Sequence, residues 1–178
     1  MPYIEHASGV LQGHYRDVIR GPDGRVIEDR GWHHNAIVID CRRVLASFVG
    51  GQAALGIQGL ALGSGLTAWD AASPGPPSPT QAWLEDANEF IVPGTQLDID
   101  FIDAGVVTAT PTNRLQVFAA IGPGQPPWPD ANHVAANLRE FGLVASLAGN
   151  PVLLNYVTHP LISKDPTSTL ERTLWLVF

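Results

Sequence analysis

Three stretches near the end of the chain decide its fold: "LREFGLVAS" (138–146), "NPVLLNYVTHPLISKD" (150–165) and "TLERTLWLVF" (169–178). Each is rich in Val, Leu, Ile and aromatic residues, alternates along much of its length, and is bounded by Gly, Asn, Pro or Asp, which is the pattern of β-strands separated by turns. The last run closes on Leu174, Trp175, Leu176, Val177 and Phe178, so a sheet or a neighbouring subunit is expected to cover it. That ending points to a β-rich building block.

Composition fits one such domain. The chain has 178 residues, 45% of them hydrophobic, which suffices for a core, and its 18 Gly and 15 Pro imply many turns. A net charge of -7 argues against a surface that tracks nucleic-acid phosphates. Arg16, Arg20, Arg25 and Arg30 do lie close together, but Asp17, Asp23, Glu28 and Asp29 are interleaved with them, as on a solvated hairpin edge. Cys41 is the single cysteine, so no intramolecular disulfide can form and packing must hold the fold. "MPYIEHASG" (1–9) lacks the features of a secretory signal, and "AALGIQGLALGSGL" (53–66) is too short and glycine-rich to span a bilayer, so cytoplasmic synthesis and no membrane partner are expected.

Outward from the deciding stretches, the loosely alternating segment 9–20 and the segment 25–29 flank "GPDG" (21–24), a turn with Pro at its second position. They read as a hairpin with polar faces, suited to an arm over residues 1–31. Asn35 reads as the cap of a helix over 36–49, ended by Gly50-Gly51, with Ile37, Cys41, Val44, Leu45 and Phe48 on its core face. A strand over 56–62, a proline-rich loop over 66–80 and a short helix over 81–88 follow. Strands are expected at 95–102, 105–110, 114–121, 139–145, 153–159 and 169–178. The sum is a mainly β protein, an antiparallel β-sandwich over 32–178 with one helix packed on it and an N-terminal β-hairpin arm.

Catalytic or metal chemistry finds little support in the spacings. Adjacent His33 and His34 point to opposite faces of an extended chain, and with His14, His133 and His159 they make no chelating pattern. Asp98, Asp100 and Asp103 suit the wet face of a strand better than a calcium loop or a glycosidase pair. Gly63-Ser64-Gly65 has neither the Lys-Ser/Thr of a phosphate loop nor the Gly-x-Ser-x-Gly of a hydrolase elbow. No enzymatic activity, cofactor or metal is expected. Trp69 and Trp128, in or beside loops, are the candidates for stacking on a ligand, Trp128 because prolines at 126, 127 and 129 would hold it rigid.

Taken in order, "GWHHNAIV" (31–38), "IQGLALGSG" (57–65), "WLED" (83–86), "LREFGL" (138–143), "LLNYVTHPLISKD" (153–165) and "TLERTLWLVF" (169–178) resemble a pattern of tail- and baseplate-associated structural proteins of bacteriophages and phage-like injection particles. The resemblance implies a virion component of tail-fibre or adaptor type, with copies of itself and other particle proteins as partners. Docking is then expected through Tyr15, Arg16, Arg20 and Arg25 of the hairpin and through Trp175 and Phe178. Glu140 and Lys164 read as charge partners on adjoining strands. The alternative from a different class is a carbohydrate- or receptor-binding module using Trp69 and Trp128.

Overall fold

The protein was analysed as a computed structural model describing residues 11–178, so the start of the first expected strand lies outside the described residues. Eleven strands and one α-helix follow the order β1 (Gln12–Arg20), β2 (Val26–Ile37), α1 (Ile39–Val49), β3 (Ala54–Gly63), β4 (Phe90–Pro93), β5 (Leu97–Asp103), β6 (Val106–Thr108), β7 (Arg114–Ile121), β8 (Asn137–Leu147), β9 (Asn150–Leu153), β10 (Asn155–Ser163) and β11 (Thr169–Val177). All strand pairs are antiparallel, along the path β4-β3-β8-β10-β2-β1-β11-β7-β5-β6, with β9 on β8.

This path bends into two layers at its weakest join. Only two residue pairs, Asn155 opposite Ile37 and Tyr156 opposite Ala36, connect β10 to β2. Tyr15, Val117, Leu174 and Leu176 from one layer and Leu60, Leu62, Phe141 and Val157 from the other then share a core with Cys41 and Val44 of α1. The expected mainly β sandwich with a single packed helix is the fold observed. In β11 the residues facing inward are Leu170, Arg172, Leu174 and Leu176, and each buried leucine contributes about 1.5–3 kcal/mol. The inward half of the apolar ending is thus covered from within the domain, while Trp175, Val177 and Phe178 stay half-buried.

The hairpin is present, and it is laid into the sandwich rather than held out as an arm. β1 pairs with β11 along nine residues while β2 closes its other side, and β2 runs through the boundary expected at 31/32. Tyr15 and Asp17 point inward and are buried, a parity that the charge of Asp17 obscures in the sequence.

α1 begins three residues later than expected. Asn35 caps nothing, because 35–37 complete β2, and the residue at the helix start is Val38, whose side chain offers no cap. The β-branched run Ile37-Val38-Ile39 follows its strand propensity only as far as Ile37, which lies opposite Asn155 at the start of β10. The short helix expected over 81–88 is absent. Its backbone amides at Glu85 and Asp86 donate to the Glu140 carboxylate instead of to helical carbonyls. This segment lies on the outer face of β8, where Leu84 packs with Ala61, Val144, Leu153 and Tyr156. β8 is therefore buried on both faces continuously from Leu138 to Ala145, Arg139 and Glu140 included.

Three of the free strand edges are blunted. β4 ends in Pro93, β6 has three residues, and β2 carries Glu28 and Asp29 together with irregularities at Ile27 and at Arg30-Gly31.

Candidate functional site

Four of the six sequence blocks that carry the resemblance, 57–65, 83–86, 138–143 and 153–165, meet at one carboxylate. Glu140 is fully buried, accepts the Tyr156 hydroxyl at 2.6 Å, and accepts the amides of Glu85 at 3.0 Å and Asp86 at 2.8 Å. Burial raises its pKa despite these donors, and burial also raises that of Tyr156. Gly63 lies beneath: a Cβ there would sit 2.5 Å from Glu140 Oε1. Asp86 in turn accepts the Ser64 amide at 2.8 Å and bonds His133 Nε2 at 2.9 Å. Burial pushes the Asp86 carboxyl up, but the amides of Ser64 and Asn88 and the imidazole outweigh it and hold it low. This cluster clamps the loop over β8. Glu140 therefore has no contact with Lys164, whose ammonium instead donates to the carbonyls of Gly122 and Ser168, both at 2.8 Å.

His133 also bonds Asp130 through Nδ1 at 2.9 Å, and Trp128 stacks on the ring with centroids 3.8 Å apart. With both nitrogens occupied, the ring is a fastener for the loop before β8. Trp128 is 7% exposed, so the expected stacking platform is a core residue: the prolines around it fold it inward. Trp69 is half-buried over Gly65 and lines a hollow of about 540 Å³ with Asp70 and Arg139. Arg139 donates to both Asp70 oxygens, at 2.8 and 2.6 Å, and to the Ser64 carbonyl.

A second buried network joins the two layers. Arg172 Nε and Nη2 donate to the two oxygens of Asp17, each at 2.7 Å, and the guanidinium lies 3.7 Å from the Phe141 ring centroid. Burial pushes the Asp17 carboxyl up, but Arg172, by charge and hydrogen bonds, brings it below the usual range. Arg172 Nη2 also reaches His159 Nε2 at 3.2 Å, while His159 Nδ1 meets the Pro160 carbonyl at 2.8 Å. Burial first, and Arg172 second, push the His159 pKa down to about 3, so the ring is neutral, with Nδ1 donating and Nε2 accepting. Neither lone pair nor proton is free for transfer to a ligand.

The expected docking residues divide between core and surface. Tyr15 is 6% exposed, which corrects its assignment to a docking edge. Arg25 stands at the hairpin turn beside Asp23, largely in solvent. Arg20 bonds Glu171 at 2.7 Å. Phe178 is half-buried and lines an apolar hollow of about 180 Å³ under α1 with Val44, Phe48, Ile57 and Leu176.

Arg16 and Trp175 belong to a larger arrangement, the outer face of the six-stranded layer. Strand register aligns His34, His14, Trp175, Gln116 and Asp100 in one row and Trp32, Arg16, Thr173, Phe118 and Asp98 in the next. Trp32 is 41% exposed and packs on Trp175 with ring centroids 4.3 Å apart. The Trp175 indole is fixed by its N–H to Gln116 Oε1 at 3.0 Å, and Arg16 is held by Asp29 through two hydrogen bonds. His14 and His34 lie ring to ring at 4.5 Å, whereas His33 turns toward Tyr15, so the adjacent histidines do take opposite faces. The result is a preformed aromatic surface with polar groups around it. Trp32, His14 and Gln116 are not among the docking residues expected from the sequence, although alternation from Trp175 across paired strands carries the signal.

Compared with protein-family models, curated proteins and solved structures, the chain matches none. Among the described residues no helix is long and apolar enough to cross a membrane, and no cluster of three or more His, Cys, Asp or Glu is placed to hold a metal ion.

Proposed function

We propose that this chain is a non-enzymatic structural component of a phage or phage-like particle, working by oligomerisation and by docking to neighbouring particle proteins through the outer face centred on Trp32 and Trp175. The observation that carries the proposal is the two-row aromatic surface, with its rings fixed in place and its cation, Arg16, already paired. Exposed Trp beside Arg and His is the composition of interface hot spots, and side chains held before binding lose little entropy on docking. Blunted edges favour docking by a face over strand addition. The sequence resemblance supplies the particle context.

Native mass spectrometry and electron microscopy of the purified chain test this reading. Wild-type protein is expected in defined oligomers or in complexes with particle proteins, and Trp32→Ala combined with Arg16→Glu is expected to leave a folded protein that no longer joins them. A wild-type chain that stays monomeric with every particle protein offered would remove the proposal.

The second reading, a glycan- or receptor-binding module, is favoured by Trp69 beside Asp70 and Arg139 at an open hollow. Trp128 takes no part in it. Saccharide-dependent quenching of tryptophan fluorescence that disappears in Trp69→Ala would support this alternative.

A further inference from the structure

Beyond Tyr156 the two layers part, and between β2 and β10 a hollow of about 620 Å³ opens, within the size range of small-molecule sites. Its lining includes Tyr15 and Asp17 from β1, His159 from β10, and Glu28, Arg30 and His33 from β2. Arg30 ties the two strands together here, donating to the carbonyls of Pro160 at 3.0 Å and Leu161 at 3.1 Å. The hollow is therefore braced where strand pairing has stopped.

Tyr15 singles this hollow out. The residue is 6% exposed, and its hydroxyl has no hydrogen-bond partner among the described residues. Burial raises its pKa, so the hydroxyl keeps its proton and can donate. The oxygen itself is not sealed in the core, since the buried side-chain atoms without a partner belong to Asn35, Asn155 and Arg172 among the described residues, so the hydroxyl is accessible to a ligand. The charges that face the hollow are already matched: Asp17 by Arg172 at 2.7 Å, and Glu28 by Arg30 at 3.0 Å. His159 is neutral, and the Tyr15 and His33 rings lie with centroids 5.4 Å apart. An anionic or cationic ligand would find no unpaired counter-charge among these groups. A neutral ligand with hydroxyls would find a donor, paired carboxylates with spare lone pairs, and flat ring surfaces.

We propose that the hollow between β2 and β10 is a binding site for a neutral, hydroxyl-rich molecule of one or two sugar units, anchored at its floor by the Tyr15 hydroxyl. The site is distinct from the Trp32–Trp175 docking face, and it adjoins the hollow beside Trp69, with which it shares Thr158, His159 and Pro160.

Saturation-transfer NMR on the whole chain tests it, with glucose, galactose, mannose, N-acetylglucosamine and their disaccharides as neutral probes, and inorganic phosphate and acetate as anionic ones. At least one neutral saccharide is expected to bind at millimolar concentration or below. Tyr15→Phe, which removes one oxygen and keeps the ring, is expected to weaken it about tenfold, while Trp69→Ala leaves it unchanged. His33→Ala, on the wall that β2 supplies and outside the hollow beside Trp69, gives a second variant should Tyr15→Phe fold poorly, and the same direction is expected. No saccharide signal, a signal equal in both hollow variants, or binding of the anions alone would overturn the proposal. Native mass reads the docking proposal separately, so either can fail without the other.

Discussion

The carboxylate of Asp17 and the guanidinium of Arg172 form a two-point ion pair, 2.7 Å at each bond, between residues that are 1% and 0% exposed. It pins the first described strand to the last. A pair this deeply buried punishes the loss of one member far more than the loss of both, because a lone buried charge has nothing to offset its desolvation.

Arg172→Leu is accordingly expected to destabilise the fold by about 3–5 kcal/mol, and the double variant Asp17→Leu/Arg172→Leu to recover most of that loss. Urea unfolding of both variants measures it. Equal losses in the single and double variants would mean that the ion pair is not what holds this point.

His159 gives the fold a slope with pH. The unfolded chain takes a proton on this ring near 6.5, while the folded chain refuses it until about 3, so acidification through that window favours the unfolded state. The expected slope from this one group is about 1.4 kcal/mol per pH unit, with stability falling as pH falls. His159→Gln should flatten it between pH 6.5 and 4.5; the depressed carboxyls such as Asp17 and Asp86, which lose stability in the same direction, act lower down. Denaturant titrations at several pH values check the sign and the slope.

Gly63 and Gly142 are among the glycines fixed by close approach. A Cβ on Gly63 would meet the Glu140 carboxylate at 2.5 Å, and one on Gly142 would meet the Asn155 carbonyl oxygen, also at 2.5 Å. Gly142→Ala is expected to cost more than Gly63→Ala, because strand backbone yields less readily than a side chain, with both in the range of about 1–3 kcal/mol. Thermal unfolding ranks them.

Trp128→Ala should behave as a core truncation, losing about 3–5 kcal/mol together with the stack on His133. If instead it leaves the melting temperature unchanged and abolishes binding of a saccharide, the ring is a platform after all.

Much of the architecture was legible because its signals are local. Alternation located β7 and β11, and the "GPDG" turn located the hairpin. What escaped depends on partners distant in the chain. Asp17 and Arg172 look like surface charges until 155 residues are brought together, and the segment 81–88 has helical spacing until Glu140 takes its amides. Parity held the missing information: Arg172 shares the inward side of β11 with Leu170, Leu174 and Leu176, where a charge must have an opposite to meet. The aromatic face was invisible for a related reason, since its rows run across strands and no stretch of sequence contains one.

The pairing of β1 with β11 also sets an order of events during synthesis. The hairpin leaves the ribosome early, yet the strand that completes it is made some 150 residues later. In the interval its inward side has no layer to receive Tyr15 and Asp17, so closure by β11 is expected to be a slow, long-range step of folding.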